Sequence, residues 1–133
     1  MNSLSGKIAS IKSDEYFSIV EIDLSGVSLK SIIIETPDTV PFLKIGTPMN
    51  IMFKETEVSI AKEFSGGLSL QNKIPCIVKV IERGKLLSKL FLDCKGNKII
   101  SIITTGAVEQ LDLKKNDEVL ALIKTNEVML APL

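Results

Sequence analysis

Ser31-Ile32-Ile33 returns seventy positions later as Ser101-Ile102-Ile103, and the reading of the whole chain follows from that recurrence. The same offset carries Asn2 onto Asn72, Ile11 onto Ile81, Ser18 onto Ser88, Asp23 onto Asp93 and Gly26 onto Gly96. Further along it carries Leu43-Lys44 onto Leu113-Lys114, Lys54 onto Lys124 and Glu57-Val58 onto Glu127-Val128. No gap is needed between residues 1–63 and 71–133, and most other pairs exchange one apolar residue for another, as with Ile8 and Val78 or Ile22 and Leu92. An ungapped offset that preserves the apolar pattern marks an internal duplication.

Each copy reads as β-rich. Lys7–Ile11, Ser18–Leu24 and Leu29–Ile34 alternate or cluster β-branched residues between turn signals, as do Ile77–Ile81, Lys89–Cys94 and Ile99–Thr104. Ser25-Gly26 and Lys95-Gly96-Asn97 are turn signals between the second and third strands. Thr105–Leu111 loses the strand alternation and predicts a short helical passage, after which Val119–Lys124 and Glu127–Leu130 close the copy as two more strands. Five short strands with a helical turn between the third and fourth suit a small Greek-key barrel of OB type. The expected fold is all-β, with two OB-type five-stranded Greek-key barrels in tandem, each with one short helix. The first domain spans 1–63, a Gly66-Gly67 linker spans 64–70 and the second domain spans 71–133. Barrels of this size are marginal alone, because much of their surface stays exposed. Burial shared between the halves or between chains is therefore expected, and a homo-oligomer with it.

Composition narrows the function. The 133 residues carry 16 basic and 16 acidic side chains and no histidine. Zero net charge argues against a non-specific nucleic-acid binder, and five Phe, one Tyr and no Trp leave little for base stacking. Without histidine the commonest general base and transition-metal ligand are missing, and no nucleophile–base constellation or carboxylate pair replaces it, so an enzyme is not expected. Cys76 and Cys94 read as reduced core residues. No apolar run approaches the ~20 residues of a spanning helix, and Met1-Asn2-Ser3-Leu4-Ser5-Gly6 is no export signal. The reading is a soluble cytoplasmic protein without a membrane partner.

The second copy carries a resemblance. Gln71-Asn72-Lys73-Ile74, Ser101-Ile102-Ile103-Thr104, Leu111-Asp112-Leu113-Lys114-Lys115-Asn116-Asp117-Glu118-Val119 and Ala121-Leu122-Ile123-Lys124 together resemble a Mop domain, also called the TOBE fold. The first copy is similar through Leu4-Ser5-Gly6-Lys7-Ile8, Leu43-Lys44-Ile45-Gly46 and Phe53-Lys54. Two copies in tandem resemble the di-Mop molbindins. That resemblance implies a trimer of two-domain chains holding molybdate or tungstate between subunits, for storage or buffering in the cytoplasm. Carried over by position, it implies Ser69, Asn72, Thr104 and Lys124 as oxyanion ligands in the second copy, with Gln71 where the family has Arg and Ala107 where it has Ser. In the first copy Asn2 and Lys54 remain, whereas Ile34 and Pro37 replace the Thr and Ser.

The chemistry of the ligand fits such residues. Molybdate and tungstate are unprotonated tetrahedral dianions at neutral pH, so all their oxygens are acceptors. A pocket for them presents hydroxyl, amide and ammonium donors only, and Lys supplies charge-assisted bonds. Hydrogen phosphate also brings a proton, which such a pocket leaves unpaired. Residues 1–72 carry six Lys against nine acids, while residues 73–133 carry nine Lys and Arg83 against seven. The half with the fuller ligand set is thus the basic one. The expected function is binding, storage or buffering of a small inorganic oxyanion through Ser69, Gln71, Asn72, Thr104, Lys124 and Lys54. The alternative is a ligand-dead regulatory or protein-interaction module.

Overall fold

The computed structural model describes residues 1–133 and builds the duplication as two five-stranded antiparallel sheets. The first copy supplies β1 (Asn2–Ser13), β2 (Ser18–Asp23), β3 (Ser28–Ile33), β4 (Pro48–Phe53) and β5 (Ser59–Ala61). The second supplies β6 (Asn72–Arg83), β7 (Leu87–Cys94), β8 (Asn97–Thr104), helix α1 (Thr105–Gln110), β9 (Glu118–Ile123) and β10 (Met129–Pro132). Alternation sets the faces. Along β2, Ser18, Val20 and Ile22 are buried while Ile19, Glu21 and Asp23 point away from the core. The β2–β3 and β7–β8 hairpins turn on Ser25-Gly26 and Lys95-Gly96, all four with positive φ, and Asp23 and Asp93 accept the glycine N–H at 3.1 and 2.8 Å. β1 and β6 carry bulges at repeat-related places, between Ile8 and Ser10 and between Val78 and Val80. Such bulges bend a strand and raise its twist, which helps a small sheet to curl.

The sheets do not follow the copies. Their strand orders are β10-β4-β1-β2-β3 and β5-β9-β6-β7-β8, so each takes its fifth strand from the other copy. β5 pairs with β9 through Ile60 and Ala121, and β10 pairs with β4 through Leu130 and Ile51. Between fourth and fifth strands each copy crosses over in a 3-10 turn, Glu55–Glu57 and Thr125–Glu127. A single apolar cluster of 25 buried residues consequently runs through both halves.

Polar side chains lock the exchange with the same symmetry. The amide of buried Asn2 donates to the Ile100 carbonyl and accepts from the Ile100 N–H, both at 2.8 Å. Asn72 holds Lys30 in the same way, at 2.8 and 2.7 Å. Ser31 donates to the Val128 carbonyl at 2.6 Å and Ser101 to the Val58 carbonyl at 2.7 Å. These bonds cover β3 and β8, which lie at sheet edges and would otherwise expose pairing groups.

One expectation is corrected. Cys76 and Cys94 are not free thiols but a disulfide. The β6–β7 register that opposes Ile77 to Asp93 brings these two buried cysteines face to face, which their separation of 18 residues in sequence conceals. In the first copy the equivalent pair is Gly6 and Leu24, where a Cβ on Gly6 would lie 2.7 Å from the Leu24 side chain and 2.6 Å from the Asp23 carbonyl oxygen. Each copy carries a short helical element, and between third and fourth strands it is an α-helix in the second copy. There Thr104 caps it by accepting the Ala107 N–H at 3.1 Å. In the first copy the chain makes one turn, with the Thr39 and Val40 N–H groups on the Thr36 carbonyl, and stops at Pro41, which has no N–H to continue it. The helical element of the first copy is its 3-10 turn.

Candidate functional site

Strand pairing brings two distant segments to one cleft. Asn72, the first residue of β6, is paired with Ile123, the last of β9. The residues just outside this pair therefore meet, and Ser69, Leu70, Gln71, Lys124 and Thr125 line a cleft of about 100 Å³. Lys124 leads into the 3-10 turn, its carbonyl accepting the Glu127 N–H at 3.0 Å, so its backbone is fixed while its side chain stays exposed. It takes part in none of the three ion pairs of the chain, which join Met1 to Glu55, Lys62 to Asp117 and Lys114 to Asp112.

The lining is rich in donors. The Ser69 and Thr125 hydroxyls, the Gln71 amide and the Lys124 ammonium all offer hydrogens, and no carboxylate lines the cleft. Its volume is well below the ~300 Å³ at which organic-ligand pockets begin. The cleft has the size and polarity for a small anion. Two larger hollows differ in kind. One, of about 530 Å³, is bordered by Glu63, Asp93 and Glu118 with Lys95 as its one cation, and repels a dianion. The other, of about 780 Å³, lies between the start of β1 and the β7–β8 hairpin, with Val80, Phe91 and Ile100 in its lining.

Of the expected ligands, Ser69, Gln71 and Lys124 come together here. Thr125 joins them, though the sequence reading passed over it. The available signal was its position directly after Lys124, in a copy where the offset places Glu55 opposite it. Asn72 is one residue from the cleft, but its amide is buried and engaged at both ends by Lys30. Thr104 lies outside the lining, exposed, opposite Leu87 in the β7–β8 ladder, with its hydroxyl oxygen capping α1. Lys54 occupies the first-copy counterpart, exposed and next to Glu55. The Met1 ammonium, hydrogen-bonded to Glu55, is the main cause that holds the Glu55 carboxyl below its ordinary range. No group of three or more His, Cys, Asp or Glu side chains is placed to hold a metal cation.

Known proteins share this architecture. The TOBE domain profile matches residues 68–130. Molybdenum-pterin-binding protein 1 of Clostridium pasteurianum is 34% identical over 64 residues, which are 47% of this chain and 94% of that protein. The molybdenum import ATP-binding protein ModC of Brucella abortus (strain 2308) is 32% identical over 116 residues, covering 86% of this chain and 30% of ModC. The chain thus spans about three-tenths of the length of the ModC proteins it matches. A crystal structure of the cytoplasmic molybdate-binding protein ModG, with molybdate bound, superposes with a TM-score of 0.92 at 28% identity, over 99% of this chain and 96% of that one.

Proposed function

This chain belongs to the TOBE-domain family, and on that premise we propose that it binds molybdate in the cleft of Ser69, Gln71, Lys124 and Thr125. The observation that carries the assignment is the lining itself, a set of side-chain donors without a carboxylate, in a space of small-ion size. A tetrahedral dianion satisfies every donor, and the single ammonium gives charge-assisted bonds. Tungstate has the same charge and acceptor pattern and is bound in the same manner.

The role we assign is storage or buffering of the oxyanion in the cytoplasm, by a homo-oligomer, a trimer of two-domain chains. Ile34, Ile45, Leu86 and Leu87 are large apolar side chains left mostly exposed on the single chain, and association would cover them. Leu87 is the ladder partner of Thr104, so a subunit packed on this face would lie beside the Thr104 hydroxyl.

Isothermal titration with molybdate, tungstate, sulfate and phosphate tests the assignment. Binding of the two metalates, weakened about tenfold to a hundredfold by Lys124→Ala, is the expected result, since a hydrogen bond to a charged group contributes roughly 1.5–3 kcal/mol. Folded protein that takes up no metalate would refute it.

A further inference from the structure

The cleft has a counterpart in the first copy, and we infer that Glu55 closes it, so that each chain offers one class of oxyanion site rather than two. The inference rests on the molybdate reading of the second-copy cleft.

The two places share a backbone. Asn2 pairs with Phe53 as Asn72 pairs with Ile123, and the Glu57 N–H reaches the Lys54 carbonyl at the same 3.0 Å that separates Glu127 from Lys124. The side chains differ. The offset places Met1 for Gln71, Lys54 for Lys124 and Glu55 for Thr125. An acceptor-only carboxylate therefore stands where the second copy presents a hydroxyl. Both Glu55 oxygens lie 2.7 Å from the Met1 ammonium, so the chain itself supplies the anion that this corner accommodates. Lys89, from β7 of the other copy, adds to the positive field around the Glu55 carboxylate.

An incoming dianion would have to displace this carboxylate and then remain beside it. Like charges at contact distance repel even in water and several times more strongly near a protein surface, and molybdate carries two. Lys54, though identical to Lys124 by position, has lost the neighbourhood that makes Lys124 a ligand.

The test is a molybdate titration of the whole chain and three variants. The wild type should show one class of site, at no more than one molybdate per chain. Lys124→Ala should weaken it at least tenfold, Lys54→Ala should leave affinity within twofold, and Glu55→Thr should add a second class of site that disappears again in Lys54→Ala/Glu55→Thr. A wild-type stoichiometry of two per chain, equal losses from both lysine variants, or no added site in Glu55→Thr would overturn the inference while leaving the molybdate reading intact. Folded wild type without any molybdate uptake would overturn both.

Discussion

Removing the Asn72 amide separates a structural clamp from a ligand more cleanly than any other single change. In the folded chain its oxygen accepts the Lys30 N–H at 2.7 Å and its nitrogen donates to the Lys30 carbonyl at 2.8 Å. The residue is 1% exposed, so water does not replace those partners without opening the junction between the copies. Two net hydrogen bonds at about 1 kcal/mol each, plus part of the desolvation cost of the backbone groups left unpaired, give a loss of roughly 2–4 kcal/mol for Asn72→Ala. For a chain of this length that corresponds to a fall in Tm of about 7–14 °C. Urea unfolding at one fixed protein concentration measures it, with an unchanged slope showing that the same surface is exposed. Asn72→Asp should do at least as much harm, because it keeps the acceptor for the Lys30 N–H but turns a second acceptor on the Lys30 carbonyl. Asn2→Ala should cost a similar amount, and since Asn2 and Asn72 share no partner the two losses should add within about 0.5 kcal/mol. A stability change below about 0.5 kcal/mol in Asn72→Ala, accompanied by a large loss of molybdate affinity, would refute this and return Asn72 to the ligand set.

The disulfide closes a loop of 18 residues, for which chain entropy gives about 3 kcal/mol, so a dithiol reductant should lower the urea midpoint of the wild type by that equivalent. It should leave Cys76→Gly/Cys94→Leu unaffected, because that variant carries the Gly6 and Leu24 pair of the first copy. Asp117 accepts the Lys114 N–H and pairs with Lys62, and these hold its carboxyl below its ordinary value of 3.8. A depressed folded pKa contributes stability that is present above the unfolded value and lost as pH falls through the folded one. Asp117→Asn should therefore flatten the stability curve below about pH 4, as read from urea midpoints across the acid range. Thr104→Ala should cost about 1 kcal/mol through loss of the α1 cap, and by the oligomer reading it should also weaken molybdate binding, which thermal melts with and without molybdate resolve.

Much of the fold was legible because burial writes a period into strands. The alternation in β2 and β7 and the two hairpin turns follow from local pattern. The exchange of β5 and β10 did not, for a definite reason. An apolar residue such as Ile60 or Leu130 records that it is packed against a core, not whose core it is, and both copies offer the same edge. The disulfide escaped for a related reason. It depends on the register of β6 against β7, and Gly6, its counterpart in the first copy, gives no hint of a bridge. In the candidate cleft, Lys124, Gln71 and Ser69 were reached through the resemblance to the Mop domain, carried over by position, since nothing local in the sequence says that two segments some fifty residues apart meet. Thr125 was not among the positions the resemblance supplied, and its place beside them shows only once β6 and β9 are paired.

The resemblance implied a ligand role for Asn72, and the amides of both Asn2 and Asn72 are engaged in joining the copies, for a reason general to a duplicated chain. Contacts that join two copies through a twofold-like exchange must be made twice, once in each direction. Asn2 on Ile100 and Asn72 on Lys30, Ser31 on Val128 and Ser101 on Val58, are such contacts, and the side chains that make them, Asn and Ser, are the same in both copies, while Ile100 and Lys30 contribute only backbone groups. A ligand site need be kept only once, and its residues are free to diverge in the other copy. Gln71 against Met1, Thr125 against Glu55 and Thr104 against Ile34 differ between the copies, and Gln71 and Thr125 line the cleft. Lys54 and Lys124 are identical in both copies, and their ammonium groups take part in neither the lock nor an ion pair. Their side-by-side substitution is for that reason the most direct measure of how far the two halves have parted in function.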